Sequence, residues 1–254
     1  MIPFRAVRER TGLARIAGLD AVVHRLRGTV ITPIRSAAVG DPAVTAPRGV
    51  VVYGAPGCGI AHIVSSLAEE LGLDEVPVSF ARLGEEPLTA PSLVVIEHAM
   101  SDTDGHLLAE WFDRPDPLAV LSVVITDRPW ELAPDLLATG RFDRMVFVPP
   151  PDFEARRIYV DRAIRRVGIA PDQHVDEIIA ALEGGTGHDI DAVFDAAAKL
   201  VASAPDLDAI RAASVAHRTD ARRWLEEARS LVAMTATRGL VDDLIAYLRR
   251  HRLI

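Results

Sequence analysis

Between the apolar run GVVVYG (49–54) and the helical pattern IAHIVSSLAEELG (60–72) stands the turn Gly54-Ala55-Pro56-Gly57-Cys58-Gly59. Glycines at that spacing let main-chain N–H groups close on phosphate oxygens, and a helix starting there turns its positive dipole end to the same point. The chemistry this pattern serves is phosphate binding. The full signature continues with a lysine for the outer phosphates and a hydroxyl for Mg²⁺. Here Ile60 and Ala61 hold those two positions, and neither side chain can make a hydrogen bond. The chain's only lysine, Lys199, is a poor substitute so far along the sequence. A glycine turn also serves as an ordinary strand-to-helix connection, so the turn alone leaves both readings open.

Other residue groups bear weighing. Cys58 precedes a helix N-terminus, where a thiolate is stabilised; a redox thiol and an inert turn residue are the alternatives. The segment EHAMSDTDGH (97–106) gathers His98, Asp102, Asp104 and His106, a fragment of a calcium loop without its distal glutamate. An Asp-capped turn before a helix at 106–112 accounts for it, and no metal site is expected. Arg222, Arg223, Arg249, Arg250 and Arg252 alternate with Glu226, Glu227, Asp242 and Asp243, as on solvated helix faces. Trp224, Leu225, Leu231, Leu240, Leu244 and Leu248 read as core of a C-terminal helical domain.

The elements that carry these residues follow from apolar patterning. Leu19, Val22, Val23, Leu26 and Val30 have helical spacing up to Pro33. Besides 49–54, the runs VPVSF (76–80), SLVVIE (92–97), AVLSVVIT (119–126) and MVFVP (145–149) are buried-strand candidates, with short helices near 106–112 and 130–138. Five apolar strands alternating with helices predict an α/β fold with a parallel sheet covered on both faces. After the prolines at 149–151 every segment is helical: 153–167, 174–183, 188–203, 206–213 and 219–250. The expected organisation is a P-loop α/β domain over 1–150 and an all-helical domain over 151–254.

Charge narrows the function classes. Lys and Arg number 28 against 36 Asp and Glu, a net charge of −8, which disfavours a general nucleic-acid binder. No stretch has the roughly 18 apolar residues of a membrane helix, and the N-terminus lacks a signal-type apolar core. A single cysteine excludes an internal disulfide. The expectation is a cytoplasmic protein binding neither nucleic acid nor membrane.

Several linked segments resemble the AAA-family ATPase cassette from about residue 13 to 200. Arg15-Ile16-Ala17-Gly18-Leu19-Asp20 is similar to the loop before the family's first helix, and PRGVVVYGAPGCG (47–59) to its strand and P-loop. Thr126-Asp127-Arg128-Pro129 and Gly140-Arg141-Phe142-Asp143-Arg144 are similar to its sensor-1 and arginine-finger segments. PPPDFEARR (149–157) resembles the junction to the helical lid, and Gly187-His188-Asp189-Ile190 the lid segment near the adenosine. The resemblance implies a five-stranded P-loop sheet followed by a small helical lid. It also implies a nucleotide site formed by Ile16, Ala17, Gly18, Pro56, Gly57, Cys58, Gly59, Ile60, Ala61, Gly187 and His188.

The groups that the family implies for hydrolysis are largely replaced. Lysine and hydroxyl become Ile60 and Ala61, the Asp-Glu pair becomes Glu97-His98, sensor-1 Asn becomes Asp127, and the first arginine finger becomes Ala138. Arg141, the second finger, is retained. Residues 81–92 carry no aromatic for the family's pore loop and leave little room for its helix. A general base contributes about 10²–10⁴-fold and an arginine finger about 10³–10⁵-fold. The expectation is an oligomeric AAA module without turnover, an assembly or regulatory subunit beside other AAA subunits or one cassette of a larger chain. No cofactor is expected, with ATP and Mg²⁺ the candidates if the nucleotide site is competent. The alternatives are a weakly ATP-binding ATPase using Glu97 and His98, and an anion or small-ligand sensor.

Overall fold

The computed structural model describes residues 11–78, 88–97, 110–112, 118–137, 140–168, 175–200, 207–216 and 221–254. Strands β1 (Gly49–Gly54), β2 (Asp74–Val78), β3 (Ser92–Glu97), β4 (Ala119–Thr126) and β5 (Met145–Val148) form one parallel sheet in the order β2-β3-β4-β1-β5. Every residue of β1 and β5 is buried, as is β3 up to Ile96, because helices cover both faces and leave no solvated side to alternate toward. Strand β2 is the exposed edge. Its Pro77, which lacks an N–H, is tolerated at such an edge.

Helices α1 (Asp20–Leu26) and α2 (Thr32–Ala38) are joined by a π-helical turn at Arg27–Ile31. The expected stop at Pro33 is not observed. Thr32 N–H reaches back five residues to Arg27 O, and the widened turn accommodates the proline ring that an α-turn would force against a carbonyl. Helix α3 (Ile60–Leu71) runs between two left-handed glycines, Gly59 and Gly72. The expected helix over 130–138 is instead two 3-10 turns, Pro129–Glu131 and Pro134–Leu137, since Pro134 drives its predecessor out of the α region.

The helical part comprises α4 (Phe153–Val167), α5 (Val175–Ala181), α6 (Gly187–Leu200) and α7 (Leu207–Ala216). Val160, Ile164, Ile179, Val193, Phe194 and Ile210 form their core. The single helix expected over 219–250 is broken into α8 (Ala221–Ala228), α9 (Ser230–Ala233), a 3-10 turn and α10 (Asp242–Arg250). At the break the Thr237 hydroxyl donates to main-chain carbonyls of Leu231 and Met234, and Gly239 is left-handed, which together end the helical ladder. Trp224, Leu225, Leu231, Leu244 and Leu248 do not join the lid core as expected. They pack into the core around the sheet. Trp224 stacks on Phe147 of β5 with centroids 6.0 Å apart, and Tyr247 meets the same ring edge-on at 5.4 Å.

Candidate functional site

The parallel sheet brings the carboxyl ends of β3, β4 and β1 side by side: Glu97 is in register with Ile125, and Tyr53 with Thr126. Ligands of open α/β sheets bind along this edge. Beyond β1 the turn Ala55–Gly59 holds Gly57 and Gly59 at φ of 82° and 81°, a left-handed geometry costly for any side chain. Cys58 N–H donates to Ala55 O at 3.2 Å, closing the turn.

Contact from the lid confirms why Gly57 is glycine. A Cβ there would lie 2.5 Å from Thr186 Oγ1 and 2.9 Å from His188 Cβ. His188 N–H donates to Gly57 O at 3.2 Å, so α6 docks its first turn on the phosphate-type loop. That first turn is rigidly built. Thr186 N–H and hydroxyl both donate to Asp189 Oδ2, at 2.8 and 2.9 Å, and Asp189 N–H returns a bond to Thr186 Oγ1. Both residues are buried. On the other side Gly18, left-handed at φ 73°, sits where a Cβ would be 2.6 Å from Ala155 Cβ. The N-terminal loop therefore closes on α4, and Asp152 caps that helix by accepting from Ala155 N–H at 2.9 Å. Tyr159, one turn further along α4, stands 3.5 Å from a Gly187 Cβ position.

Thus Gly18 meets α4, Gly57 meets Gly187 and His188, and the two contacts share the Ala155–Tyr159 face of α4. Ile16 is buried, Ala17, Gly18 and Gly187 are half-buried, and Pro56, Gly57, Gly59, Ala61 and His188 are exposed. Ile60 is half-buried and packs against the sheet core. Glu97 is exposed at the end of β3, while His98, Ala138 and most of the EHAMSDTDGH segment lie outside the described residues. Among the described residues no group of three metal-ligating side chains occurs. Asp127 follows β4, and its carbonyl accepts the Trp224 indole N–H.

Of the two readings of Cys58, the structure favours the inert turn residue. Cys58 is 6% exposed. Burial and then the charge of Asp189 push its thiol up to about 12, so it is not a stabilised thiolate. The Asp143 carboxylate engages Arg144 Nη1 at 2.7 Å and Gly140 N–H at 3.2 Å, while Arg141 Nη1 donates to Asp135 O. Arg141 also lies away from the phosphate-type loop: its carbonyl is 2.8 Å from a Cβ position on Gly49, at the opening residue of β1. That is the amino edge of the sheet.

Sequence reading missed Thr186, Tyr159 and a basic group at the loop. Burial, then Arg15 and Arg162, lower the pKa of His62 in the first turn of α3. The Thr186…Asp189 spacing is a capping-box signature visible in sequence; the others depend on tertiary contact.

No family model matches the chain. It is 31% identical to Protein SAV of Sulfolobus acidocaldarius over 70% of this chain and 27% of that protein. Proteasome-activating nucleotidase of Pyrococcus abyssi is 31% identical over 70% of this chain and 53% of its own length. ATPase family gene 2 protein of Schizosaccharomyces pombe is 27% identical over 76% and 27%. The chain thus spans about half the length, or less, of these relatives. Sequence similarity, the β2-β3-β4-β1-β5 parallel sheet and the glycine turn docked under a helical lid agree: the chain belongs to the AAA family of P-loop ATPases.

Proposed function

We propose that this module does not hydrolyse ATP and serves as an assembly or regulatory element, either beside other AAA subunits in an oligomer or as one cassette of a larger chain. The observation that carries this reading is Ile60. Where a cation would face the outer phosphates, an apolar side chain packs half-buried on the sheet core, followed by the exposed methyl of Ala61. The glycine cradle would still offer main-chain N–H groups, but the side-chain partners for the outer phosphates and Mg²⁺ are missing. Asp127 adds a carboxylate where the family has an amide, repulsive toward a polyphosphate. The residues present therefore do not fit Mg·ATP in the family's manner.

On this reading the P-loop unit covers 1–150, the lid begins at 151, and the helices from 221 brace the sheet. We place the module in the cytoplasm; among the described residues no helix is long and apolar enough to cross a membrane. The test is the melting temperature of the full chain with and without millimolar ATP·Mg²⁺, with phosphate release measured in parallel. No phosphate release and a shift of no more than about 1–2 °C are expected. A shift absent with Mg²⁺ alone, accompanied by turnover, overturns the proposal and favours the weak ATPase using Glu97 and His98.

A further inference from the structure

The geometry points to a second binding site, remote from the glycine turn: a cleft of about 1080 Å³ between the start of α4, the end of α5 and the helices α8 and α10, which takes a carboxylate-bearing ligand with an apolar body on Arg156.

Arg156 is only 8% exposed. Its Nε donates to Ile179 O at 3.3 Å and its Nη1 to Pro151 O at 2.9 Å. Among the described residues no carboxylate lies within 4.0 Å of it and Nη2 has no hydrogen-bond partner. Arg156 lines the cleft, and Nη2 is the guanidinium nitrogen that its two carbonyl bonds leave over. A guanidinium keeps its proton at any ordinary pH. A nearly buried cation held only by neutral carbonyls lacks the counter-charge that such burial calls for. Two acids stand at the cleft. Asp152 Oδ1 is engaged by the Ala155 N–H, and neither Asp152 nor Glu183 pairs with Arg156 among the described residues.

The remaining walls specify the rest of the ligand. Pro150, Phe153, Leu225, Tyr247 and Leu253 are apolar or aromatic. The Arg156 guanidinium lies 6.0 Å from the Phe153 ring centroid. Arg222 and His251 also line the cleft, but Arg222 is well exposed and paired with Glu226 at 3.6 Å, so the buried Arg156 guanidinium beside the apolar walls is the fixed cation, and its planar donor edge suits a carboxylate. The cleft is large enough for a small-molecule ligand. It is also independent of the phosphate-type loop. Ala155 and Tyr159 face that loop and the lid, whereas Arg156 is turned about 100° around the same helix, so the inference does not depend on whether nucleotide binds.

The carboxylate can belong to a free acid or to an acidic side chain of a partner polypeptide. The full chain is titrated calorimetrically with phenylacetate, with its uncharged isostere phenylacetamide, and with the peptide acetyl-Phe-Asp-Leu-amide. At least one acid is expected to bind roughly 10–100-fold more tightly than the amide, the ratio one charge-assisted hydrogen bond supports. Preference for phenylacetate identifies a free acid, and preference for the peptide identifies a partner side chain. Arg156→Gln should erase the discrimination, but it also removes bonds to Pro151 and Ile179. Ala180→Trp, at an exposed position lining the cleft, fills the space without touching those bonds and should abolish binding in a folded protein. Equal affinity for acid and amide, binding undiminished by Ala180→Trp, or no binding of either acid overturns the site.

Discussion

Restoring the two missing side chains, Ile60→Lys with Ala61→Thr, separates nucleotide binding from turnover. The cost to the fold is small. Ile60 is half-buried, and a lysine stem can cover the same apolar surface while its ammonium reaches out. Ala61 is exposed in the first turn of α3, where threonine costs about 0.5 kcal/mol in helix propensity. The gain is two new contacts to phosphate and metal, each worth about 1.5–3 kcal/mol as a charge-assisted bond. Since contacts within one site do not add, about 3 kcal/mol, or roughly 100-fold in affinity, is a fair expectation. If wild type binds no better than about 5 mM, the double variant should bind near about 50 µM, and about 5 mM ATP·Mg²⁺ then stabilises it by about 2.7 kcal/mol. For a chain of this size that raises Tm by roughly 5–10 °C, against about 1–2 °C for wild type. Differential scanning fluorimetry measures the shift and a phosphate-release assay the turnover, which should remain absent because Asp127 and His98 are unchanged. A folded double variant with no added shift would show that the glycine turn, docked on His188 and Thr186, no longer admits phosphates. Turnover near that of an intact family member would show that His98 serves as a base.

Thr186→Ala should destabilise the lid by about 2–4 kcal/mol, an N-cap loss of about 1 plus the cost of leaving the buried Asp189 carboxylate short of a donor; Thr186→Ser should recover most of it in a urea titration, and equal loss in both would refute the capping role. Cys58 should react with a thiol reagent at pH 8 only as fast as the chain opens, and fully in denaturant. Its folded pKa is raised from 9.0 to about 12, so the proton is bound more tightly in the native state. Stability is therefore independent of this group below about pH 9 and falls as pH rises from there toward about 12, a trend the raised pKa of Tyr247 reinforces and a pH series of melts would check. Arg141→Ala should change this chain's own stability by no more than about 0.5 kcal/mol, yet cut the ATPase rate of a mixed AAA assembly by up to about 10³–10⁵-fold if Arg141 serves a neighbouring site; an unchanged rate in a verified mixed assembly, or an unfolded variant, leaves it structural.

The strands at 49–54, 92–97 and 119–126 were legible to the residue because both faces of a parallel sheet are buried. Their apolar runs are bounded by Gly49 and Gly54, by Ser92 and Glu97, and at the end of the third by Thr126. Helix ends failed where a local rule was overridden or overlooked. The π turn at 27–31 carries the chain past Pro33, and Pro134 and the Thr237 hydroxyl break segments whose apolar spacing alone looked continuous. Periodicity also cannot name the surface a helix will bury against. Trp224 and Leu248 have the spacing of core residues, but only the return of the chain to β5 decides which core they enter. The glycine turn was readable for the converse reason, since left-handed residues at Gly57 and Gly59 demand glycine whatever lies nearby. What presses on that turn was not, because Thr186 is well over one hundred residues away in sequence and meets it only in the folded chain. The same distinction governs Arg141. Its type suits a finger, but the register that puts it at the amino edge, with Gly49 and away from Gly57, is what makes a role in its own site geometrically unsupported and a role toward a neighbour the one worth testing.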